Sequence, residues 1–163
     1  MNKKILAVLT LALAIGTTNV FAFGIGAQGG YVAGSSYSGG ALTFKLDDNP
    51  WVFAVNADLG SNYLGLGVTG DMWLAHETFA DPFAYYYGWG LAGSFATAGD
   101  NTNLFAGVRA VGGVNVMLLD NFLELYGQVA WQPGINIWVA GDSGIDPVFF
   151  SFPVNLGFRF WLK

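Results

Sequence analysis

From Phe150 to the end of the chain, apolar and small or polar residues alternate one by one. Phe150, Phe152, Val154, Leu156, Phe158, Phe160 and Leu162 share one parity. Ser151, Pro153, Asn155, Gly157 and Arg159 share the other, with Trp161 as its one large apolar member. Successive side chains of a strand point to opposite faces, so a period of two marks a strand whose faces meet different surroundings. The segment from Phe122 repeats the pattern: Leu123, Leu125, Val129, Trp131, Ile135, Ile137 and Val139 oppose Glu124, Tyr126, Gln128, Gln132 and Asn136. Trp51, Phe53, Val55 and Leu59 oppose Asn56 and Asp58, and Phe83, Tyr85, Tyr87, Trp89 and Leu91 oppose Gly88, Gly90 and Ser94. Clusters of Gly, Asn, Asp and Pro interrupt the alternation. Eight strands are predicted, over 23–33, 38–46, 51–59, 63–74, 83–95, 104–117, 122–139 and 146–162.

Composition decides what the outer face meets. Charged residues are only 10% of the chain, whereas 53% are hydrophobic and 17% aromatic. A soluble domain carries about 25% charged residues. So few charges cannot clothe a water-facing exterior, yet beyond residue 22 no apolar run is long enough for a membrane-spanning helix. A barrel with lipid-facing residues at every second position reconciles the two. The expected fold is all-β: a closed antiparallel eight-stranded up-and-down transmembrane β-barrel. A soluble lipocalin-like barrel would need the reverse arrangement, apolar inside and polar outside.

Residues 1–22 read as a secretory signal peptide, leaving 23–163 as the outer-membrane β-barrel. Lys3 and Lys4 precede an apolar core, Ile5 to Ile15, that is too short to span a bilayer, and Val20-Phe21-Ala22 is an acceptable cleavage site. With no Cys, lipoprotein attachment, disulfides and thiolate metal sites are excluded. Four of the six Lys and Arg and all eleven acids lie beyond residue 22, a net charge of about −7 that gives no footprint for nucleic acid.

Strand polarity follows from an even barrel with both ends in the periplasm. Asp47 to Pro50, Ala75 to Pro82 and Asp120-Asn121 would be periplasmic turns. Gly34 to Tyr37, Gly60 to Asn62, Thr97 to Asn103 and Gly141 to Gly144 would face outside. Beyond Pro133 the last two strands either keep parity and project as a tall hairpin or break into an irregular loop over 133–149.

Parity puts six charges inside, three of each sign: Lys45, Asp58, Asp71, Arg109, Glu124 and Arg159. Registers counted from the turns place Arg159 opposite Tyr126 and diagonal to Glu124, with Lys45 and Asp71 at a similar depth. The expectation is a lumen charge network that closes the barrel and helps specify register. The alternative is a narrow polar path lined by Arg109, Gln128 and Gln132. Three segments match G-x-G-x-x-G, beginning at Gly24, Gly65 and Gly88. A dinucleotide site needs a helix after the motif, and none is predicted. In each, the first two glycines fall on the inner face, where a small barrel has little room. The single histidine, His76, stands beside Glu77 in a predicted turn with no serine close in sequence. A catalytic set needs a nucleophile, a base and an orienting group together, so no enzyme activity and no catalytic residue is expected. No cofactor and no metal site is expected either. The outward aromatics Phe23, Tyr31, Trp51, Tyr85, Tyr87, Trp89, Trp131 and Phe160 suit interface girdles.

Asp71-Met72-Trp73, Arg109-Ala110-Val111-Gly112-Gly113-Val114-Asn115, Leu123-Glu124-Leu125-Tyr126 and Leu156-Gly157-Phe158-Arg159-Phe160-Trp161-Leu162 resemble a known pattern. They are similar to a family of small spirochaetal outer-membrane barrels that carries only an uncharacterised-domain label. That family is itself compared with OmpX/OmpA-type eight-stranded barrels. The resemblance implies an OmpX-like barrel in the cell outer membrane, with no assigned activity to carry over. The last strand also resembles the insertion signal read by the barrel-assembly machinery, although it ends Phe160-Trp161-Leu162-Lys163 instead of on Phe. The expected partners are outer-membrane lipid, the assembly machinery during insertion and an unidentified surface ligand, with a monomer as the working state. The expected role is structural or surface-interactive with a largely closed lumen. A narrow, OmpW-like channel for small solutes is the alternative.

Overall fold

The computed structural model describes residues 22–33, 38–60, 63–140 and 143–162. Ten strands follow one another: β1 (Phe23–Ala33), β2 (Ser38–Leu46), β3 (Trp51–Gly60), β4 (Tyr63–Ala80), β5 (Phe83–Ala98), β6 (Asn101–Leu118), β7 (Leu123–Trp131), β8 (Gly134–Ala140), β9 (Gly144–Val148) and β10 (Phe152–Leu162). Every pairing is antiparallel, and β1 pairs with both β2 and β10, which closes the sheet. The predicted leader lies outside the described residues except for Ala22, as do the predicted turns at Gly34–Tyr37, Ser61-Asn62 and Gly141-Asp142.

Ten strands make eight staves. β6 pairs with β7 along its second half and with β8 along its first, so β7 and β8 are one stave interrupted at Gln132-Pro133. Pro133 has no N–H to give a ladder, but its carbonyl still accepts from Val108 N at 3.0 Å, and Gln132 N donates to Ser151 O at 2.8 Å. β9 and β10 form the last stave, interrupted at 149–151. Parity survives the break: Trp131, Ile135 and Val139 are exposed on the outside. The segment past Pro133 is therefore a strand pair, β8 with β9, and not an irregular loop.

Several predicted boundaries move: β5 runs to Ala98 and β6 starts at Asn101, so the predicted Thr97–Asn103 turn contracts to Gly99-Asp100. β4 continues to Ala80, so the predicted Ala75–Pro82 turn contracts to Asp81-Pro82. The β4–β5 register shifts between Trp73 and Ala75. This bulge inserts one residue and re-aims those after it, which brings His76 opposite Tyr86. The shorter turns carry local chemistry. Asn49 Oδ1 accepts from Trp51 N at 2.9 Å, the side-chain turn bond that favours Asn there. Leu119, Asp120 and Asn121 all have φ between 54° and 65° before β7, a left-handed run that Asp and Asn tolerate better than Leu.

The two faces are inverted relative to a soluble protein. Ile25, Leu42, Val55, Val68, Leu91, Val108, Val129 and Leu156, one from each stave, are all exposed. Lys45, Asp71, Arg109, Glu124 and Arg159 are buried in the lumen. Leu156 is 72% exposed and Arg159, three residues on, is 0% exposed. The molecule is a closed antiparallel up-and-down barrel of the transmembrane type, all-β and eight-stranded.

Large inward side chains stand opposite glycines. Trp161 faces Gly24, Trp73 faces Gly88, Asp71 faces Gly90, Tyr86 faces Gly113 and Tyr126 faces Gly157. The inward glycines of the three G-x-G-x-x-G segments include three of these gaps, and strand continues after each segment. A Cβ on Gly157 would stand 2.5 Å from the Tyr126 ring and 2.8 Å from the Ala27 carbonyl. Overpacking of this kind costs about 1–3 kcal/mol. Gly157→Ala is thus expected to lower the urea midpoint of the refolded barrel. The loss should be smaller in a Tyr126→Ala background, and an equal loss in both would refute the pairing of bulk with gap.

Candidate functional site

The lumen divides into a packed half and an open half. The packed half lies toward the chain termini and is built on Glu124. Its Oε2 accepts from Arg159 Nη1 and from Trp161 Nε1, each at 3.0 Å, and its Oε1 accepts from Asn115 Nδ2 at 3.0 Å. Asn115 Oδ1 then lies 3.1 Å from His76 Nε2. Because the amide nitrogen of Asn115 is turned to Glu124, His76 Nε2 is the donor. Arg159 lies over the Tyr126 ring, with Cζ 4.1 Å from its centroid, a cation–π contact. The Tyr126 hydroxyl donates to Gln28 Oε1 at 2.9 Å. Trp73 stacks on Tyr86 at 3.9 Å, whose hydroxyl donates to Gln128 Oε1 at 3.1 Å. These groups cross the barrel and fill its section.

The second ion pair lies further from the termini. Asp71 Oδ1 accepts from Arg109 Nε at 2.8 Å, and Arg109 Nη1 also donates to Gln132 Oε1. Asp71 and Arg109 are on β4 and β6, with Gly90 of β5 between them in the pairing row. A Cβ on Gly90 would meet Asp71 Oδ1 at 2.2 Å. The missing side chain is what lets the carboxylate lean across one strand to reach the guanidinium.

The expected charge positions therefore resolve as follows. Glu124 and Arg159 pair directly across β7 and β10, and Tyr126 faces Gly157. Arg159 is not opposite Tyr126, because β8 and β9 pair Trp138 with Gly144 and the hairpin turns earlier than a Gly141–Gly144 turn would. Lys45 and Asp71 share a pairing row through Val52, but they do not meet. Asp71 is taken by Arg109, and Lys45 Nζ donates to the carbonyls of Leu46 and Asn49, each at 3.1 Å. Lys45 also lies 5.1 Å from the Trp73 ring centroid and 5.7 Å from that of Trp161. The expected lumen charge network is, among the described side chains, two separate ion pairs and a lysine held by carbonyls and indoles. The backbone of Asp58 pairs with Gly65, while its side chain lies outside the described residues. Asn115, Tyr86, Trp73, Gln28 and Thr43 complete the plug. They stand outside the predicted charge set, though inward parity is the signal that could find them. Among the described residues no group of three or more His, Asp or Glu side chains is placed to hold a metal ion.

The open half begins above Arg109. A cavity of about 510 Å³ is lined by carboxamides of Asn56, Asn101, Asn103, Gln132 and Asn136, with Phe105 and Trp138 among its aromatic walls. Trp138 Nε1 donates to Asp146 Oδ2 of the neighbouring strand at 2.8 Å, which fixes the indole. A smaller cavity of about 130 Å³, lined by Gln28, Asn56, Arg109, Gln132 and Asn155 among others, adjoins it.

No protein-family model and no curated protein sequence matches the chain. Among solved structures the chain is similar to a major outer membrane protein from Thermus thermophilus, with a TM-score of 0.51 at 17% identity over 88% of this chain and 100% of that one. It is also similar to Neisserial surface protein A, with a TM-score of 0.51 at 17% identity over 86% of this chain and 96% of that one. At this identity the likeness is one of fold, and the fold is that of a small outer-membrane β-barrel.

Proposed function

We propose that the protein is a small barrel of the cell outer membrane with a structural or surface-interaction role and a largely closed lumen. The observation that carries this reading is the plug around Glu124, where Arg159, Trp161, Asn115, Tyr126 and Tyr86 leave their side chains buried across the section. The belt of exposed aliphatic residues supports insertion into lipid, and the fold neighbours support the outer membrane. By the convention of that class the termini face the periplasm, and the β8–β9 hairpin reaches the outside. The partners proposed are membrane lipid, the barrel-assembly machinery acting on β10 during insertion, and a surface ligand, with the chain acting as a monomer. No catalysis is assigned, since His76 is engaged with Asn115, Trp73 and Tyr86. Kinship with the spirochaetal barrels belongs to this reading and is supported by the sequence motifs alone.

A second reading, a narrow OmpW-like channel, is favoured by one observation: two adjoining cavities lie between the open end and Arg109, with Gln132 lining both. Refolding from detergent extracts should give a heat-modifiable band on a gel, as closed barrels do. In planar bilayers the refolded protein is expected to be electrically silent. Reproducible unitary steps would replace the closed-lumen reading with the channel.

A further inference from the structure

We propose that the open half of the lumen is a binding site for an uncharged saccharide. At about 510 Å³ the cavity falls within the range of small-molecule sites, about 300–1,000 Å³. Its described lining carries no charged side chain, in a chain whose formal net charge is −5. It does carry five carboxamides: Asn56, Asn101, Asn103, Gln132 and Asn136. Each offers an acceptor oxygen and two N–H donors, the complement of hydroxyl groups, which donate and accept. Asn56 Oδ1 and Asn103 Nδ2 are buried without a hydrogen-bond partner among the protein atoms, a condition that costs free energy. Trp138, pinned through its ring nitrogen to Asp146, offers a fixed apolar face to the C–H side of a sugar ring.

Other chemistries fit less well. An alkyl ligand would strip water from the carboxamides and return no hydrogen bonds. An anion would need a free cation, and Arg109 beneath the cavity is already bonded to Asp71 and Gln132. A cation would need a free carboxylate, and Asp146, paired with Asn136 beside the cavity, is already engaged by Trp138 Nε1. The inference goes beyond the role proposed above and holds whichever side of the membrane the cavity faces.

A neutral sugar reaches such a cavity either free in solution or as the headgroup of a glycolipid. The test uses the full barrel refolded in a sugar-free zwitterionic detergent, with heat-modifiability as the check on folding. Cellobiose and maltose are titrated by calorimetry and tryptophan fluorescence, beside galacturonate and glucosamine as charged probes. Nanodiscs with and without digalactosyldiacylglycerol are compared in parallel. Saturable binding of a neutral disaccharide, weakened about tenfold by Asn136→Leu or Asn101→Leu as the loss of one or two hydrogen bonds implies, supports a free ligand. A response confined to glycolipid nanodiscs and lost in the same variants supports the headgroup. The proposal is overturned if neither neutral form binds to folded protein, if both leucine variants bind as the parent does, or if a charged probe binds as tightly as the neutral ones.

Discussion

Glu124→Ala is expected to destabilise the refolded barrel by about 3–5 kcal/mol, the usual cost of leaving one member of a buried ion pair behind. The size of the effect follows from what the carboxylate holds. Arg159 is fully buried, and Glu124 accepts from its Nη1, whereas Nε and Nη2 of Arg159 are buried with no partner. Among the described residues Glu124 is the carboxylate within ion-pair distance of that guanidinium. Trp161 Nε1 and Asn115 Nδ2 would lose their acceptor in the same step. Urea titration followed by gel mobility and tryptophan fluorescence would read the change as a lowered midpoint. The double variant Glu124→Ala/Arg159→Met should recover part of the loss, because no buried charge is then left unpaired. Strictly additive losses would show that the two residues act independently and that the plug is not held by their pairing.

The fold is legible in the sequence because one physical rule writes it at every strand. A pleated wall between lipid and a narrow lumen demands apolar side chains at alternate positions, and Phe152 to Leu162 displays that without exception. The inward position of Arg159 and Glu124 can be read from the same rule. Their contact cannot, because it depends on the register of the last hairpin. That register turns on the pairing of Trp138 with Gly144 and on the breaks at Gln132-Pro133 and 149–151. The Asp71–Arg109 pair is hidden for a different reason: it joins strands that are not neighbours, and Gly90 is the opening between them. Lys45 reads as a charge needing a carboxylate, but backbone carbonyls and indole faces serve a buried ammonium as well. His76 can be placed only once the bulge after Trp73 is known, since one inserted residue moves every later side chain to the opposite face. The cavity above Arg109 collects one carboxamide from β3, two from β6, one from β8 and one from the 132–133 break. No local pattern marks a site assembled that way.

Val55→Arg is the corresponding test of the outer face, with an expected cost of about 2–4 kcal/mol for a cation near the bilayer midplane. Val55 is 56% exposed and pairs with Leu42 on one side and Val68 on the other, so three exposed aliphatic residues form a continuous strip across β2, β3 and β4. Trp51, stacked near Phe53 and edge-on to Trp89, marks the girdle on the terminal side of that strip. In water an exposed Val→Arg change falls within about ±0.5 kcal/mol, because the side chain gains hydration and loses little packing. Phe79→Arg supplies the internal comparison: Phe79 is also well exposed, but it lies two residues from the Asp81-Pro82 turn, where a charge reaches the interface and costs about 0–1 kcal/mol. Stability of both variants, measured by urea titration in phospholipid vesicles, should therefore differ by about 2 kcal/mol or more. Equal and small losses at the two sites would mean that the aliphatic strip does not meet lipid. The inverted faces of the barrel would then need another explanation, since an exterior this apolar and a lumen this charged are stable together only when the solvent outside is hydrocarbon.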